Sequence, residues 1–226
     1  MKSWLIRLTL VICTGYVLGT NAASTTTIDE LLNLDPQNVQ LASLSAVVID
    51  LESALPLYWK HGNVVVPIAS ITKLMSAMVL LDSRQSLDEI LTVSRAGFNP
   101  KKSSYSRMRP HSRISRRDLL RLSLMSSENL ATYVLAANYP GGVEAFVRAM
   151  NKKAWQLNMK NSRFKEPTGL NAENESTASD LLLMVRAAMK YPTILQFSTT
   201  AEYVAKFTYP RYRLQYRNTN PLVRKG

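Results

Sequence analysis

Residues 67–82 read PIASITKLMSAMVLLD, and they predict a buried helix around which the rest of the fold is built. Pro67 and Ser70 suit a helix start, and the apolar residues that follow recur at steps of three and four. Apolar residues also fill most of the other faces, which is typical of a central helix. Two polar side chains, Ser70 and Lys73, interrupt the pattern near its beginning.

The spacing of Ser70 and Lys73 allows a nucleophile and a base to meet. Residues three apart share one face of a helix, so the Lys73 amine can reach the Ser70 hydroxyl. A free lysine has a pKa of about 10.4, but burial and the positive end of the helix dipole both lower that pKa. The pair would then support acyl transfer through a seryl ester, with a backbone N–H at the helix start as an oxyanion donor. The alternative, on these residues alone, is that Ser70 caps the helix and Lys73 points to solvent.

A second polar cluster, MSSEN at residues 125–129, lies inside an otherwise leucine-rich segment. Ser127 and Asn129 are two residues apart, and on a continuous helix they would point to different faces. If both serve one site, the helix must break here, and the cluster is polar enough to form that break. An ordinary turn between two helices is the alternative.

The remaining pattern predicts one compact, mostly helical domain with a small sheet at its edge. Residues 44–50 and 55–60 are strand-like and are expected to pair as an antiparallel hairpin. Further helices are expected on both sides of the break at residues 125–129, over residues 143–157 and over residues 178–191. Ser115 and Thr177 each precede an aspartate by three residues, which predicts a capping box at the start of two of these helices.

Residues 1–22 have the plan of a secretory signal peptide. Lys2 and Arg7 precede an apolar run over residues 8–18, and small residues follow it. The run is shorter than the about 20 apolar residues of a spanning helix, so we expect export to the periplasm, cleavage after Ala22 and no stable membrane span afterwards. The lone Cys13 lies in this segment, so a chain starting at residue 23 has no cysteine for disulfide or thiol chemistry.

The chain is strongly basic, with 28 lysines and arginines against 16 acidic residues. Without Lys2 and Arg7 the counts are 26 and 16, a net charge of +10. Seven of the basic residues fall in residues 101–117, KKSSYSRMRPHSRISRR, which predicts a solvated cationic strand or loop. The alternative is a docking face for an anionic polymer of the cell envelope, while nucleic acid is not expected as a partner of an exported chain.

The two polar clusters together carry a resemblance to a known family. A Ser-x-x-Lys motif followed some fifty residues later by Ser-x-Asn resembles the penicillin-recognising serine hydrolases, namely penicillin-binding proteins and class A β-lactamases. Over about residues 40–226 the chain is similar to the low-molecular-mass D-alanyl-D-alanine peptidases, most of all the penicillin-binding protein 7 type of endopeptidase. The three stretches that carry this similarity are VPIASITKLMSAMVLLD, SRRDLLRLSLMSSENLA and EPTGLNAENESTASDL.

The resemblance implies an α+β, β-lactamase-like fold, here a helical region plus an incomplete antiparallel sheet. It implies that Ser70 is the acyl-ester nucleophile, that Lys73 accepts its proton, that Ser127 relays a proton to the leaving amine and that Asn129 binds a substrate amide. The implied reaction is hydrolysis of D-Ala-linked peptide bonds in peptidoglycan, with stem peptides and β-lactams as the molecules bound. For an endopeptidase the bond is a cross-link between stem peptides.

The sequence departs from the family pattern at the third motif, Lys-Thr-Gly or Lys-Ser-Gly. PTG at residues 167–169 lacks the lysine, and RKG at residues 224–226 lacks the hydroxyl residue. We therefore expect residues 23–226 to be a peptidase domain without its C-terminal strands. Loss of one oxyanion donor alone can cost about 10²–10³ in rate, so an inactive, peptidoglycan-binding remnant is one alternative function.

A class A β-lactamase is the other alternative, because EPTGLN resembles the acidic loop that positions a deacylating water in those enzymes. Glu166 would then be a general base. The segment STASDL and the glutamate in SEN favour the peptidases instead, with Glu166 as a loop or cap residue. We expect no cofactor and no metal, because His61 and His111 are far apart in sequence and neither lies in a ligand-spaced cluster.

Overall fold

The computed structural model describes residues 39–53, 55–98 and 105–225. The predicted signal peptide and the first four residues of the basic segment lie outside these ranges. The strands are β1 (Ala46–Ile49), β2 (Pro56–Lys60), β3 (Val66–Pro67), β4 (Ile90–Thr92), β5 (Arg113–Ser115), β6 (Glu175–Ser176), β7 (Glu202–Thr208) and β8 (Arg211–Arg217). The helices are α1 (Thr72–Asp82), α2 (Arg116–Ser126), α3 (Asn129–Ala137), α4 (Gly142–Gln156), α5 (Ala178–Ala188), α6 (Pro192–Ser198) and α7 (Pro221–Lys225).

Helix α1 lies at the centre of the molecule, as its sequence predicts. It packs against helices α2 to α6, and Met75 and Met78 are fully buried in the main hydrophobic core. The apolar residues on several faces of α1 are therefore explained by contact with five helices rather than with one surface.

The strands form short antiparallel ladders around this helical core. The pairs are β1 with β2, β3 with β6, β4 with β5, and β7 with β8, and a single bridge between Arg113 and Tyr209 connects β5 to the turn of the β7–β8 hairpin. The β1–β2 hairpin confirms the pairing expected for residues 44–60, and β1 packs on α5. The mixed helix and strand content confirms the predicted α+β class.

The N-cap hydrogen bond of each predicted capping box is present. Ser115 Oγ accepts a hydrogen bond from the Asp118 backbone N–H at 3.1 Å, and Thr177 Oγ1 accepts one from Asp180 at 3.1 Å. Helices α2 and α5 therefore begin one residue after these caps, because each cap satisfies an N–H that the helix itself leaves unpaired.

The prediction of a fully solvated basic segment is wrong at Arg116, which is 1% exposed. Its guanidinium pairs with Glu89 Oε2 at 2.6 Å and donates to the Ser86 carbonyl at 2.7 Å, so it ties α2 to the loop before β4. A buried cation needs such partners because desolvation of an unpaired charge is costly.

In the described ranges, no helix is long and apolar enough to span a bilayer. The same residues hold no cluster of three or more His, Cys, Asp or Glu side chains suited to a metal ion.

Candidate active site

Ser70 lies at the exposed entrance to helix α1, in a 3-10 turn over Ala69–Ile71 that leads into the α-helix. The strand pair β3–β6 holds the chain just before this turn, and the Ile68 N–H donates to the Asn174 carbonyl at 3.0 Å. The α-helix proper begins at Thr72, two residues later than the sequence pattern predicts. Ser70 therefore presents its hydroxyl to solvent from a turn whose backbone is fixed on both sides.

Lys73 lies one turn further along the chain, in helix α1, and it is buried, with 3% of its surface exposed. Its amine Nζ is 3.0 Å from Ser70 Oγ, 2.7 Å from Asn129 Oδ1 and 2.7 Å from the Thr168 carbonyl oxygen. An ammonium group has three N–H donors, and three oxygen atoms surround it here. The distance between Lys73 Nζ and Ser70 Oγ confirms the side-chain contact that the three-residue spacing predicts.

The surroundings of Lys73 favour loss of its proton. Burial lowers the pKa of Lys73 from 10.5 to about 8, and the negative charges of Glu166 and Glu128 only partly oppose this effect. At pH 7 roughly one molecule in ten then carries a neutral amine with a free lone pair. A neutral amine 3.0 Å from a serine hydroxyl can act as its general base.

Ser127 occupies the break between α2 and α3, where the sequence predicts one. Its backbone is left-handed, with φ of 55°, and the N–H groups of Ser127 and Glu128 both donate to the Leu122 carbonyl. The turn reverses the chain, so that Asn129 begins α3 with its side chain on Lys73. Hydrogen bonds join Ser70, Lys73 and Asn129 directly, whereas Ser127 precedes Asn129 by two residues in the turn between α2 and α3.

A loop over residues 166–174 supplies contacts that the two motifs do not reveal. The Glu166 carboxylate accepts hydrogen bonds from the backbone N–H groups of Thr168 and Leu170, at 2.8 and 2.9 Å, and from the Asn174 side chain at 3.1 Å. These bonds fold the loop around the carboxylate. The interpretation of Glu166 as a loop residue agrees with this geometry.

Hydrogen bonds attach the loop over residues 166–174 to helix α1. The Pro167 carbonyl accepts from Ser76 Oγ at 2.7 Å, and Asn174 Nδ2 donates to Thr72 Oγ1 at 3.1 Å. Gly169, with φ of +87°, lies so close to the Ser70 turn that a Cβ there would be 1.9 Å from the Ala69 carbonyl oxygen. The sequence signal for this contact is the Pro-Thr-Gly tripeptide, but its partner is about 100 residues away.

A cavity of about 700 Å³ is lined in part by this loop. Thr168 contributes to its wall while the Thr168 carbonyl accepts from Lys73, so the cavity and the buried amine share one residue. Phe98 and Tyr133, whose rings are 5.2 Å apart, make part of the apolar lining. The lining of the cavity includes neither Ser70 nor Lys73, so the arrangement that suits acyl transfer is the exposed hydroxyl beside a base with a lowered pKa.

Comparison with known proteins gives concordant findings. The sequence profile described as "D-alanyl-D-alanine carboxypeptidase" matches residues 33–226. The chain is 52% identical over 188 residues to a D-alanyl-D-alanine endopeptidase of Pseudomonas aeruginosa, and 52% identical over 184 residues to one of Escherichia coli. These matches cover 83% and 81% of the chain but 61% and 59% of the two endopeptidases. The chain therefore spans about three fifths of their length.

Among solved structures, the chain resembles the crystal structure of a DD-transpeptidase from Streptomyces. The TM-score is 0.75 at 27% sequence identity, over 83% of this chain and 77% of the other.

Proposed function

The chain belongs to the D-alanyl-D-alanine carboxypeptidase family, and on that premise we propose that it is a serine-type DD-peptidase. Its substrate would be a D-Ala-linked peptide bond of peptidoglycan, and β-lactams would acylate the same serine. The observation that carries the proposal is the buried Lys73 amine 3.0 Å from the exposed Ser70 hydroxyl.

The residues of the site account for the steps of this reaction. Lys73 takes the proton of the Ser70 hydroxyl as Ser70 Oγ bonds to the scissile carbonyl carbon. The C–N bond then breaks as the Ser127 hydroxyl gives its proton to the leaving amine and receives the proton held by Lys73. Water then hydrolyses the seryl ester and restores the serine. Asn129 uses Oδ1 for Lys73, which leaves its two amide N–H donors for a substrate carbonyl.

The direct test is the intact mass of the purified chain before and after incubation with benzylpenicillin, with Ser70→Ala as the control. We expect a stable adduct of one penicilloyl group on the wild-type chain and none on the variant. Folded wild-type protein without an adduct would contradict catalysis by this chain and favour a non-catalytic peptidoglycan-binding protein.

We further propose cross-link cleavage, hence endopeptidase action, because both relatives of 52% identity are named endopeptidases. The test compares release of monomers from a purified cross-linked muropeptide dimer with release of D-alanine from a monomeric pentapeptide. Faster turnover of the pentapeptide would favour carboxypeptidase action instead.

A β-lactamase function has less support, because Glu166 is occupied by hydrogen bonds from its own loop. A Glu166→Gln variant separates the two functions. In a β-lactamase the wild-type adduct is short-lived and the substitution prolongs it, whereas in a DD-peptidase the adduct is long-lived in both proteins.

We propose that the chain is exported to the periplasm and cleaved behind Ala22. The apolar run and small residues over residues 8–22 support this proposal. N-terminal sequencing of the protein recovered from a periplasmic fraction tests it, and an intact Met1 there would contradict cleavage.

The basic segment at residues 101–117 supports a further proposal, contact with an anionic polymer of the envelope. Arg109 and Arg113 lie over the rings of Tyr212 and Tyr209, so the segment is held against the β7–β8 hairpin by cation–π contacts. Both arginines are exposed, which leaves their N–H groups for an external anion. A double Arg109→Gln, Arg113→Gln variant should release from purified sacculi at lower salt than wild type, and an Arg148→Gln, Arg186→Gln control should not.

A further inference from the structure

Glu128 is a mostly buried acid between two residues of the site, and the reaction described above leaves it without a role. Its carboxylate caps helix α3 by accepting from the Ala131 N–H at 2.5 Å, and its carbonyl oxygen accepts from Thr132 Oγ1 at 2.9 Å. The side chain of Ser106 also hydrogen-bonds to the carboxylate. Glu128 therefore joins the turn of Ser127 and Asn129 to the segment before β5.

Three elements bring titratable or charged groups to Glu128. The cations are Lys73 on α1 and Arg95 in the β4–β5 connection, and β8 brings the Tyr216 hydroxyl. Arg95 Nη2 donates to the Ser106 carbonyl at 3.1 Å, which fixes the guanidinium on the same segment. In the part of the chain that the structure describes, the buried Tyr216 hydroxyl has no hydrogen-bond partner.

These groups act on one another electrostatically. Burial raises the pKa of Glu128, while the bond from Ser106 and the charges of Lys73 and Arg95 lower it. In the other direction, the negative charges of Glu166 and Glu128 raise the pKa of Lys73 against the effect of burial. Charges interact more strongly in a water-poor interior than in solvent, so loss of either carboxylate would change the proton affinity of Lys73.

We propose that Glu128 is a positioning residue that holds the Ser127–Asn129 turn, and with it Asn129 Oδ1, against the Lys73 amine, and that contributes a negative charge to the surroundings of that amine. This inference rests on the proposed function for its kinetic consequence. Its electrostatic part concerns Lys73 in the resting protein and holds whether or not Ser70 is acylated.

Glu128→Gln is the informative variant, because glutamine has the same shape and keeps an acceptor oxygen for the Ala131 N–H. The charge and one of the two acceptor oxygens are lost, and the Ser106 hydroxyl can accept from the new amide N–H instead of donating. Glu144→Gln is the matched control, since Glu144 lies in the first turn of α4, as Glu128 lies at the start of α3, but its side chain is 92% exposed.

The measurement is an NMR titration of the Lys73 side chain in the ¹³C-lysine-labelled protein, with the signal assigned by its loss in Lys73→Met. We expect a midpoint at a pH of about 8 in the wild type and in Glu144→Gln. In Glu128→Gln the midpoint should lie at lower pH. An unchanged midpoint in a folded Glu128→Gln protein would overturn the proposal, and a change of equal size in the control would overturn it as well.

The kinetic arm follows benzylpenicillin acylation from pH 5.5 to 9.5. The acid limb of the rate profile should move to lower pH in Glu128→Gln in step with the Lys73 midpoint, whereas a residue that only stabilises the turn would scale the rate equally at every pH. If no protein forms an adduct, the proposed function fails while the NMR titration still decides the role of Glu128. Glu128→Asp keeps the charge with a shorter reach, and its Lys73 midpoint should stay near that of the wild type.

Discussion

Replacing Gly169 by alanine tests whether the loop at residues 166–174 holds the Ser70 turn in place. The new Cβ would lie 1.9 Å from the Ala69 carbonyl oxygen, and real contacts of this kind are essentially never shorter than 3.0 Å. The two segments would have to separate by at least the difference, 1.1 Å. A displacement of about 1 Å at a catalytic group can lower a rate about 10²-fold, so we expect acylation of Ser70 to slow by that order.

The same substitution should also lower stability. A left-handed backbone costs an L-residue about 1–2 kcal/mol, and forced overpacking costs typically a further 1–3 kcal/mol. We therefore expect the free energy of unfolding to fall by about 3 kcal/mol, measured by urea denaturation. The acylation rate would be measured by intact mass under conditions where the variant is folded.

Gly142→Ala supplies a matched control. Gly142 also has a left-handed backbone, with φ of +70°, but a Cβ there meets no atom within 4 Å. In the control, the free energy of unfolding should fall only by the cost of a left-handed backbone, about 1–2 kcal/mol. The control should be acylated at the wild-type rate. Equal stabilities and equal rates for the two variants would refute the idea that close packing of the loop positions Ser70.

Further predictions concern two buried cations. The pKa of Lys73 is about 8 in the folded protein, against 10.5 for an ordinary lysine, so between these pH values the unfolded chain binds more protons than the folded protein. The free energy of unfolding should therefore rise with pH across this window, by up to about 3 kcal/mol. Urea denaturation of Lys73→Met should lack this rise, and an identical pH dependence would contradict the shifted pKa. Arg116→Met should lower the free energy of unfolding by about 2 kcal/mol or more, because the buried guanidinium makes charge-assisted bonds to Glu89 and Ser86. Arg117→Met, which removes the exposed pair with Asp88, should cost under about 1 kcal/mol, and equal losses would show that burial of Arg116 adds nothing.

Much of the site follows from local sequence. The spacing of Ser70 and Lys73 predicts their contact because residues three apart share a face in an α-helix and in a 3-10 turn alike. The polar cluster at Ser127 predicts a break because such residues pair with the backbone in turns. The 3-10 turn at Ser70 is not predicted, because helix ends are the least regular part of a periodic pattern.

The contacts that complete the site could not be predicted in this way. The Thr168 carbonyl is 95 residues from Lys73 in sequence, and a carbonyl group carries no residue-specific signal. The burial of Arg116 could not be predicted either. Seven basic residues in one segment favour solvent exposure, and the pairing of Arg116 with Glu89 depends on tertiary packing. Charge patterns describe average surroundings, whereas burial of a particular cation depends on distant elements.

The hydrogen bond from the Lys73 amine to the Thr168 carbonyl determines when, during synthesis of the chain, that amine gains its last partner. A ribosome releases helix α1 before Asn129 and long before residues 166–174, so the newly made helix has only the Ser70 oxygen of the three that surround the amine. Until that loop arrives, hydration of the ammonium competes with burial, since a charged group that lacks partners is costly to desolvate. Ser70 and Lys73 are thus synthesised early, but the Lys73 amine gains its full set of partners only after translation has passed residue 168.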